Sequence, residues 1–213
     1  MPDQVETVRE VLHEFCSRFV EDPYLCYTEH GWHAFFYTLL YNALPVRERY
    51  TTWQGHKMCV VQKEYPTAGA LGKPKRQHWD IAVISSPPQS AKAEPSSYDY
   101  LRLAAAVEFG MNEPQEHLLD DIERLCHPEA NLEHGFIVHL YRLSQAGARL
   151  SERDWSSESK QALTPEQVAR LAVGRPVEVF YALCDSTSTH APGAWLLRDG
   201  GVGAAIRPLS RWQ

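Results

Sequence analysis

The sequence predicts an α/β domain built on a mixed β-sheet flanked by helices. Segments with apolar residues at helical spacing come before and between short runs rich in β-branched residues. The chain has 213 residues, 44% of them hydrophobic and 23% charged, which is ordinary for a globular protein with one hydrophobic core. These observations favour one α/β core with a short extension over a bundle or an all-β sandwich.

Two helices are expected at the start of the chain. Residues 3–20 carry apolar side chains at the spacing of an amphipathic helix: Val5, Val8, Val11, Leu12, Phe15 and Phe19. A second helix begins near Thr28, which is a suitable N-cap, and runs to Pro45. This second helix is apolar almost all round, so we expect it to pack deeply against the sheet.

Three strands, a helix and a fourth strand follow in that order. The strands are expected at 58–66, 78–85, 101–110 and 134–143, and the helix at 113–126 with Asn112 as its cap. After a weaker stretch, Thr164, Pro165 and Gln167 predict a capping box that opens a short helix ending at Val173. Two more strands, 177–185 and 193–199, are expected to extend the sheet as a hairpin.

The domain organisation that follows is a core over residues 1–150 and an extension over 151–213 that packs on the same domain. The net charge is −6, which argues against a protein that coats nucleic acid through bulk positive charge. The five cysteines are odd in number and contain no CxxC pair, which favours reduced thiols in a cytoplasmic protein. No apolar run reaches the length of a membrane span, so no membrane partner is expected.

Two carboxylates stand in runs that otherwise predict buried strands. Asp80 lies in HWDIAVIS and Glu108 lies in LRLAAAVEF. A buried charge is costly unless it is paired or binds a metal. Small residues share a strand face with each acid, which leaves room for an ion and its waters. Mg²⁺ favours this combination of one or two carboxylates with water, so the sequence predicts a Mg²⁺ (or Mn²⁺) site.

The order of elements around these acids resembles the PD-(D/E)XK nuclease superfamily. The resemblance covers residues 28–143 and implies a restriction-endonuclease-like sheet with the core order αβββαβ, followed here by a helix–strand–strand extension. It implies that Asp80 and Glu108 are catalytic metal ligands and that Glu29 is the helix-borne acid of many members. Glu64 completes the expected acidic cluster.

One departure from the family pattern concerns the lysine that orients the attacking water. Gly110 stands where the motif places it. Lys63 is the nearest candidate for a substitute, but Lys63 and Glu64 lie on opposite faces of a regular strand. Both can serve the site only if the strand contains a bulge.

Basic and histidine residues near the acids allow more than one interpretation. Lys73, Lys75 and Arg76 precede the strand of Asp80 and are candidate contacts to a phosphate backbone, or else a solvated loop. Trp79 is a candidate contact to a substrate base. His30 and His33 are three residues apart without an evident third ligand, so a packing or polar-network role is expected for them.

The function predicted is metal-dependent phosphodiester hydrolysis of nucleic acid, with DNA favoured over RNA. The alternative is an inactive nuclease-fold module that binds nucleic acid or assembles with a protein partner or a second copy. A third reading is an unrelated α/β domain whose acids are incidental. In that case Asp80 is a half-exposed acid at a strand start, and Glu108 forms a buried salt bridge to Arg102 or Arg124.

Overall fold

A mixed seven-stranded sheet with helices on both faces forms the body of the protein. The computed structural model describes residues 3–90, 101–142, 163–184 and 192–206. Its helices are α1 (Gln4–Glu21), α2 (Glu29–Ala43), α3 (Gln115–Leu125) and α4 (Pro165–Leu171), with a 3₁₀ turn at Val46–Glu48. Its strands are β1 (Tyr50–Trp53), β2 (His56–Cys59), β3 (Val61–Pro66), β4 (His78–Ile84), β5 (Leu103–Met111), β6 (Leu132–Tyr141), β7 (Val177–Leu183), β8 (Gly193–Arg198) and β9 (Gly201–Ala205).

The seven strands β3 to β9 lie side by side in chain order. The pairs β5–β6 and β6–β7 are parallel, and the other pairs are antiparallel. The extension therefore continues the sheet of the core, as the expected hairpin of β7 and β8 implied. The coarse prediction of a mixed α/β sheet flanked by helices is confirmed.

The helices form two separate cores, one on each face of the sheet. Helices α1 and α2 cover the first face, where Phe15 of α1 and Phe36 of α2 meet Phe109 of β5 with ring centroids 5.7 and 5.4 Å apart. Helices α3 and α4 cover the second face with a different set of buried residues. Because β5 is covered on both faces, eight of its nine residues are buried.

The helix ends follow the sequence in most places. Asp3 and Thr28 cap α1 and α2 by accepting the backbone N–H groups of Val5 and Gly31. The Thr164–Gln167 capping box is present at α4. Helix α2 packs against the sheet through one side, with Trp32, His33, Phe36 and Leu40 buried, although its sequence is apolar almost all round.

Two local expectations also need correction, and one strand was not expected. The strand expected at 58–66 divides at Val60 into β2 and β3, because β2 pairs with β1 in a hairpin that turns at Gln54 and Gly55, both with positive φ. Asn112 does not cap α3. Its backbone is left-handed, and its Oδ1 accepts the N–H of Arg142 at 2.6 Å. The Gly-rich strand β9 was not expected.

Candidate functional site

Asp80 and Glu108 meet where β4 begins to separate from β5. The register pairs Ile81 with Val107, so the next step along the two strands brings Asp80 beside Glu108. Asp80 Oδ2 accepts the backbone N–H of Phe109 at 2.8 Å, which is where a ladder carbonyl would otherwise bond. Burial is the largest cause that raises the pKa of Glu108, and the charge of the neighbouring Asp80 raises it further.

Glu29 reaches the same end of β5 from the first turn of α2. Its Oε2 accepts the backbone N–H of Met111 at 2.8 Å, so Glu29 and Asp80 bind N–H groups two residues apart on one strand. Burial raises the pKa of Glu29, the Met111 N–H lowers it, and the charge of Asp80 raises it again. Asp80 is therefore close enough to Glu29 to oppose its ionisation.

Arg142 fixes the start of α2 against the sheet. From the end of β6, its guanidinium donates to the carbonyls of Pro23, Cys26 and Tyr27 at 2.5, 2.7 and 2.6 Å. These carbonyls belong to the turn between α1 and α2. A residue far along the chain thus sets the position of Glu29.

His33 lies between Glu29 and Asp80, one turn along α2 from Glu29. Its Nε2 is 3.8 Å from Glu29 Oε1 and its Nδ1 is 3.9 Å from Asp80 Oδ1. The residue is 1% exposed, and within the described part of the chain neither ring nitrogen has a hydrogen-bond partner. Burial lowers the pKa of His33, and the charge of Asp80 opposes this.

Strand β3 is irregular where Lys63 and Glu64 occur. Glu64 has a φ of 53°, the left-handed conformation that side chains other than glycine rarely adopt. The side chains of Lys63 and Glu64 consequently meet, with Nζ 3.1 Å from Oε1, and both charges act on His33. The irregularity lets both residues approach the site, which regular strand alternation would have prevented.

Glu108 is paired with Arg124 of α3. Arg124 Nη2 lies 2.9 Å from Glu108 Oε1 and 2.6 Å from Asp121 Oδ1, and both acids are buried. Burial raises the pKa of Glu108 well above its ordinary value, and the Arg124 charge opposes that rise. Of the two candidate salt-bridge partners of Glu108, it is Arg124 that pairs with it. Arg102 instead pairs with the exposed Glu133 at 3.1 Å.

The space above Gly110, where the family motif places a lysine, is bordered by two histidines. A Cβ added at Gly110 would lie 3.3 Å from His139 Nδ1 and 3.4 Å from His117 Nδ1. His117 Nδ1 is 3.2 Å from Asp121 Oδ2, and this neighbouring carboxylate raises the pKa of His117. Burial lowers the pKa of His139 to about 4, so His139 is neutral at pH 7.

The candidate nucleic-acid contacts differ in how far they are exposed in the structure. Lys73 forms an ion pair with Asp120 of α3 and is 29% exposed, so its charge is partly compensated. Lys75 and Arg76 are exposed in the loop before β4. The expectation that Trp79 contacts a base was wrong, since Trp79 is fully buried with the Arg124 guanidinium 5.9 Å from its ring.

The carboxylate oxygens of the acidic cluster are the type of ligand atom that Mg²⁺ binds. Asp80 and Glu29 each bind a backbone N–H through one oxygen, and the other oxygen lies near His33. Carboxylate oxygens completed by water are the ligands that Mg²⁺ prefers. Glu108 is the exception, because Arg124 already neutralises it. Asp80 and Glu29 therefore fit the expected ion better than Glu108 does.

The structure brings together one group of residues that the sequence did not predict. His30, His33 and Glu64 bring a ligand atom each to within 4.8 Å of one another. The spacing of His30 and His33 on α2 was a visible signal. The third ligand could not be identified from sequence, because it depends on the left-handed backbone at Glu64.

Comparisons of the chain with protein-family models, with curated proteins and with solved structures find no match. Every helix in the described residues is too short or too polar to cross a membrane. The fold and the site together define a mixed α/β protein with a cluster of ionisable residues at one end of its central strand β5.

Proposed function

We propose that this protein is a metal-dependent nuclease of the PD-(D/E)XK type that hydrolyses phosphodiester bonds, in DNA rather than RNA. The observation that carries the proposal is the position of Asp80 at one end of β5, where it neighbours both Glu108 and Glu29. Supporting it, the elements from α2 to β6 follow the αβββαβ order of that superfamily, apart from the small β1–β2 hairpin between α2 and β3.

The expected ion is Mg²⁺ or Mn²⁺, held by Asp80 and Glu29 with Glu108 beside them. When bound, such an ion stabilises charge on the phosphodiester oxygens and lowers the pKa of an attacking water. Arg124 holds Glu108 in place. A substrate backbone would approach over Lys75 and Arg76, whose positive charges attract phosphate.

In this proposal His117 replaces the missing lysine. It borders the space above Gly110, and its charge acts on Glu29. Asp121 holds the imidazole and favours its protonated form. A protonated His117 can place positive charge beside the reacting phosphate, which is the role of the lysine ammonium. Lys63 is the weaker substitute because its ammonium is bound to Glu64.

The test is cleavage of plasmid DNA, single-stranded DNA and RNA in Mg²⁺ or Mn²⁺ by wild type and Asp80→Ala. The matched control is Glu133→Ala, which removes an exposed carboxylate from β6. We expect cleavage by wild type and by the control, and none by Asp80→Ala. Equal cleavage by wild type and Asp80→Ala would exclude catalysis at this site.

A second candidate function is a non-catalytic module that binds nucleic acid or a protein partner through the same fold. The pairing of Glu108 with Arg124 favours it, because an arginine that neutralises a motif acid competes with a metal for that acid. Under this alternative wild type does not cleave any of the three substrates. Gel-shift binding, if present, is then unchanged in Asp80→Ala and weakened by neutralising Lys75 and Arg76.

A further inference from the structure

We propose that His30, His33 and Glu64 form a second metal site, selective for Zn²⁺-like transition-metal ions, beside the acidic cluster. The site joins α2 to β3. It uses Glu64, which was expected in the acidic cluster, but none of Asp80, Glu29 and Glu108, which the nuclease proposal places at Mg²⁺. It therefore goes beyond that proposal and does not depend on it.

The three side chains converge from two elements. His30 and His33 lie on successive turns of α2 with ring centroids 5.5 Å apart, and Glu64 faces them from β3. Zinc–nitrogen bonds of about 2.0–2.1 Å require ligand atoms roughly 3.4 Å apart in a tetrahedral site. In the structure the three ligand atoms lie within 4.8 Å of one another. Rotation of the exposed side chains of His30 and Glu64 can shorten these distances to the values that zinc requires.

His33 supplies an independent indication of a ligand. A buried imidazole normally satisfies its ring nitrogens with hydrogen bonds. His33 is 1% exposed, yet both its nitrogens lack a hydrogen-bond partner among the described residues. Metal coordination satisfies one of them and leaves the other facing a carboxylate at 3.8 or 3.9 Å. A carboxylate behind the second nitrogen is the usual support of a metal-binding histidine.

The backbone at Glu64 adopts a strained conformation, and this conformation positions the third ligand. A left-handed φ is unfavourable for a residue other than glycine. Here it turns Glu64 towards the α2 histidines and next to Lys63. The Lys63 ammonium bonds Glu64 Oε1 and balances its charge when no metal is bound. Metal binding then replaces the ammonium as the partner of this carboxylate.

The ligand chemistry selects the ion. Two imidazoles and one carboxylate match the His₂Glu set of zinc sites that keep a fourth position open. Imidazole nitrogen suits Zn²⁺ and Co²⁺, whereas Mg²⁺ and Ca²⁺ prefer oxygen ligands only. The site should therefore bind Co²⁺ and Zn²⁺ in the presence of excess Mg²⁺.

The test is a Co²⁺ titration of the full chain after removal of metals with EDTA, monitored by visible absorption. Wild type should bind one equivalent with the absorption bands of nitrogen-ligated Co²⁺. Zn²⁺ should displace the Co²⁺, and excess Mg²⁺ should not. The bands should be lost in His30→Ala and Glu64→Gln. They should persist in the control His56→Ala, which removes an exposed histidine from the β1–β2 hairpin.

A measurement on wild type alone covers the case in which a variant fails to fold. Zn²⁺ should protect His30 from modification by diethylpyrocarbonate, and Mg²⁺ should not. The proposal is overturned if wild type gives no Co²⁺ bands, or if the bands survive in His30→Ala. Cleavage with Mg²⁺ without Co²⁺ bands would reject this site and keep the nuclease. Co²⁺ bands without cleavage would reject the nuclease and keep this site.

Discussion

Replacement of Arg124 by methionine should destabilise the fold severely. The change keeps the length of the side chain and removes the cation that lies 2.9 Å from Glu108 and 2.6 Å from Asp121. Both acids are at most 2% exposed, so each loses its arginine partner in a site that water does not reach. Breaking one buried pair costs about 3–5 kcal/mol. His117 still contacts Asp121, so most of that cost should come from Glu108.

The double variant Arg124→Met/Glu108→Gln tests this reasoning. The amide carries no charge, so the double variant should recover roughly 2 kcal/mol of the loss, within the range expected of contacting residues. Free energies of unfolding are measured by urea titration with far-ultraviolet circular dichroism. Arg102→Met is the matched control, since its partner Glu133 is 45% exposed, and it should cost less than about 1 kcal/mol. A loss in Arg124→Met no larger than in the control, or no recovery in the double variant, would refute the argument.

Three other predictions concern parts of the fold away from this pair. Burial raises the pKa of Glu178, but the His134 imidazole 3.1 Å away and the hydrogen bonds from Arg9 outweigh burial and lower this pKa to about 2. The associated stability, about 3 kcal/mol, is present above the unfolded carboxyl pKa near 4.5 and is lost as the pH falls towards 2. Urea titrations across that range should show a smaller loss in Glu178→Gln than in wild type. Arg142→Met should cost about 2 kcal/mol and speed hydrogen exchange at residues 23–28, because three carbonyls lose a charged donor; unchanged exchange would contradict it. Gly135→Ala should lower the free energy of unfolding by about 1–3 kcal/mol, because its Cβ would lie 3.1 Å from a Leu125 side-chain carbon; a neutral effect would mean that α3 shifts freely.

The regular elements were predictable because local chemistry decides them. The apolar spacing of residues 3–20 and the caps at Thr28 and Thr164 gave helices that the structure reproduces within a few residues. The two carboxylates in apolar strands were also visible in the sequence. Their positions, and the small residues around them, follow from strand alternation alone.

The parts that were not predictable depend on contacts between distant residues or on rare backbone conformations. Arg124 and Asp121 are three residues apart on a helix, but nothing local shows that Arg124 reaches Glu108. Asn112 has the composition of a helix cap and instead binds Arg142 on β6. Glu64 adopts a left-handed φ that its residue type does not favour, so the group it forms with His30 and His33 could not be foreseen.

The irregular backbone at Glu64 also affects how the molecule can associate with its neighbours. Strand β3 is the outermost strand of the seven-stranded sheet. An unbroken outer strand offers a continuous row of peptide groups on which a strand from another molecule can add. The left-handed residue interrupts that row halfway along β3, between Lys63 and Tyr65. The conformation that turns Glu64 towards the histidines thus also hinders edge-to-edge growth of the sheet on this side.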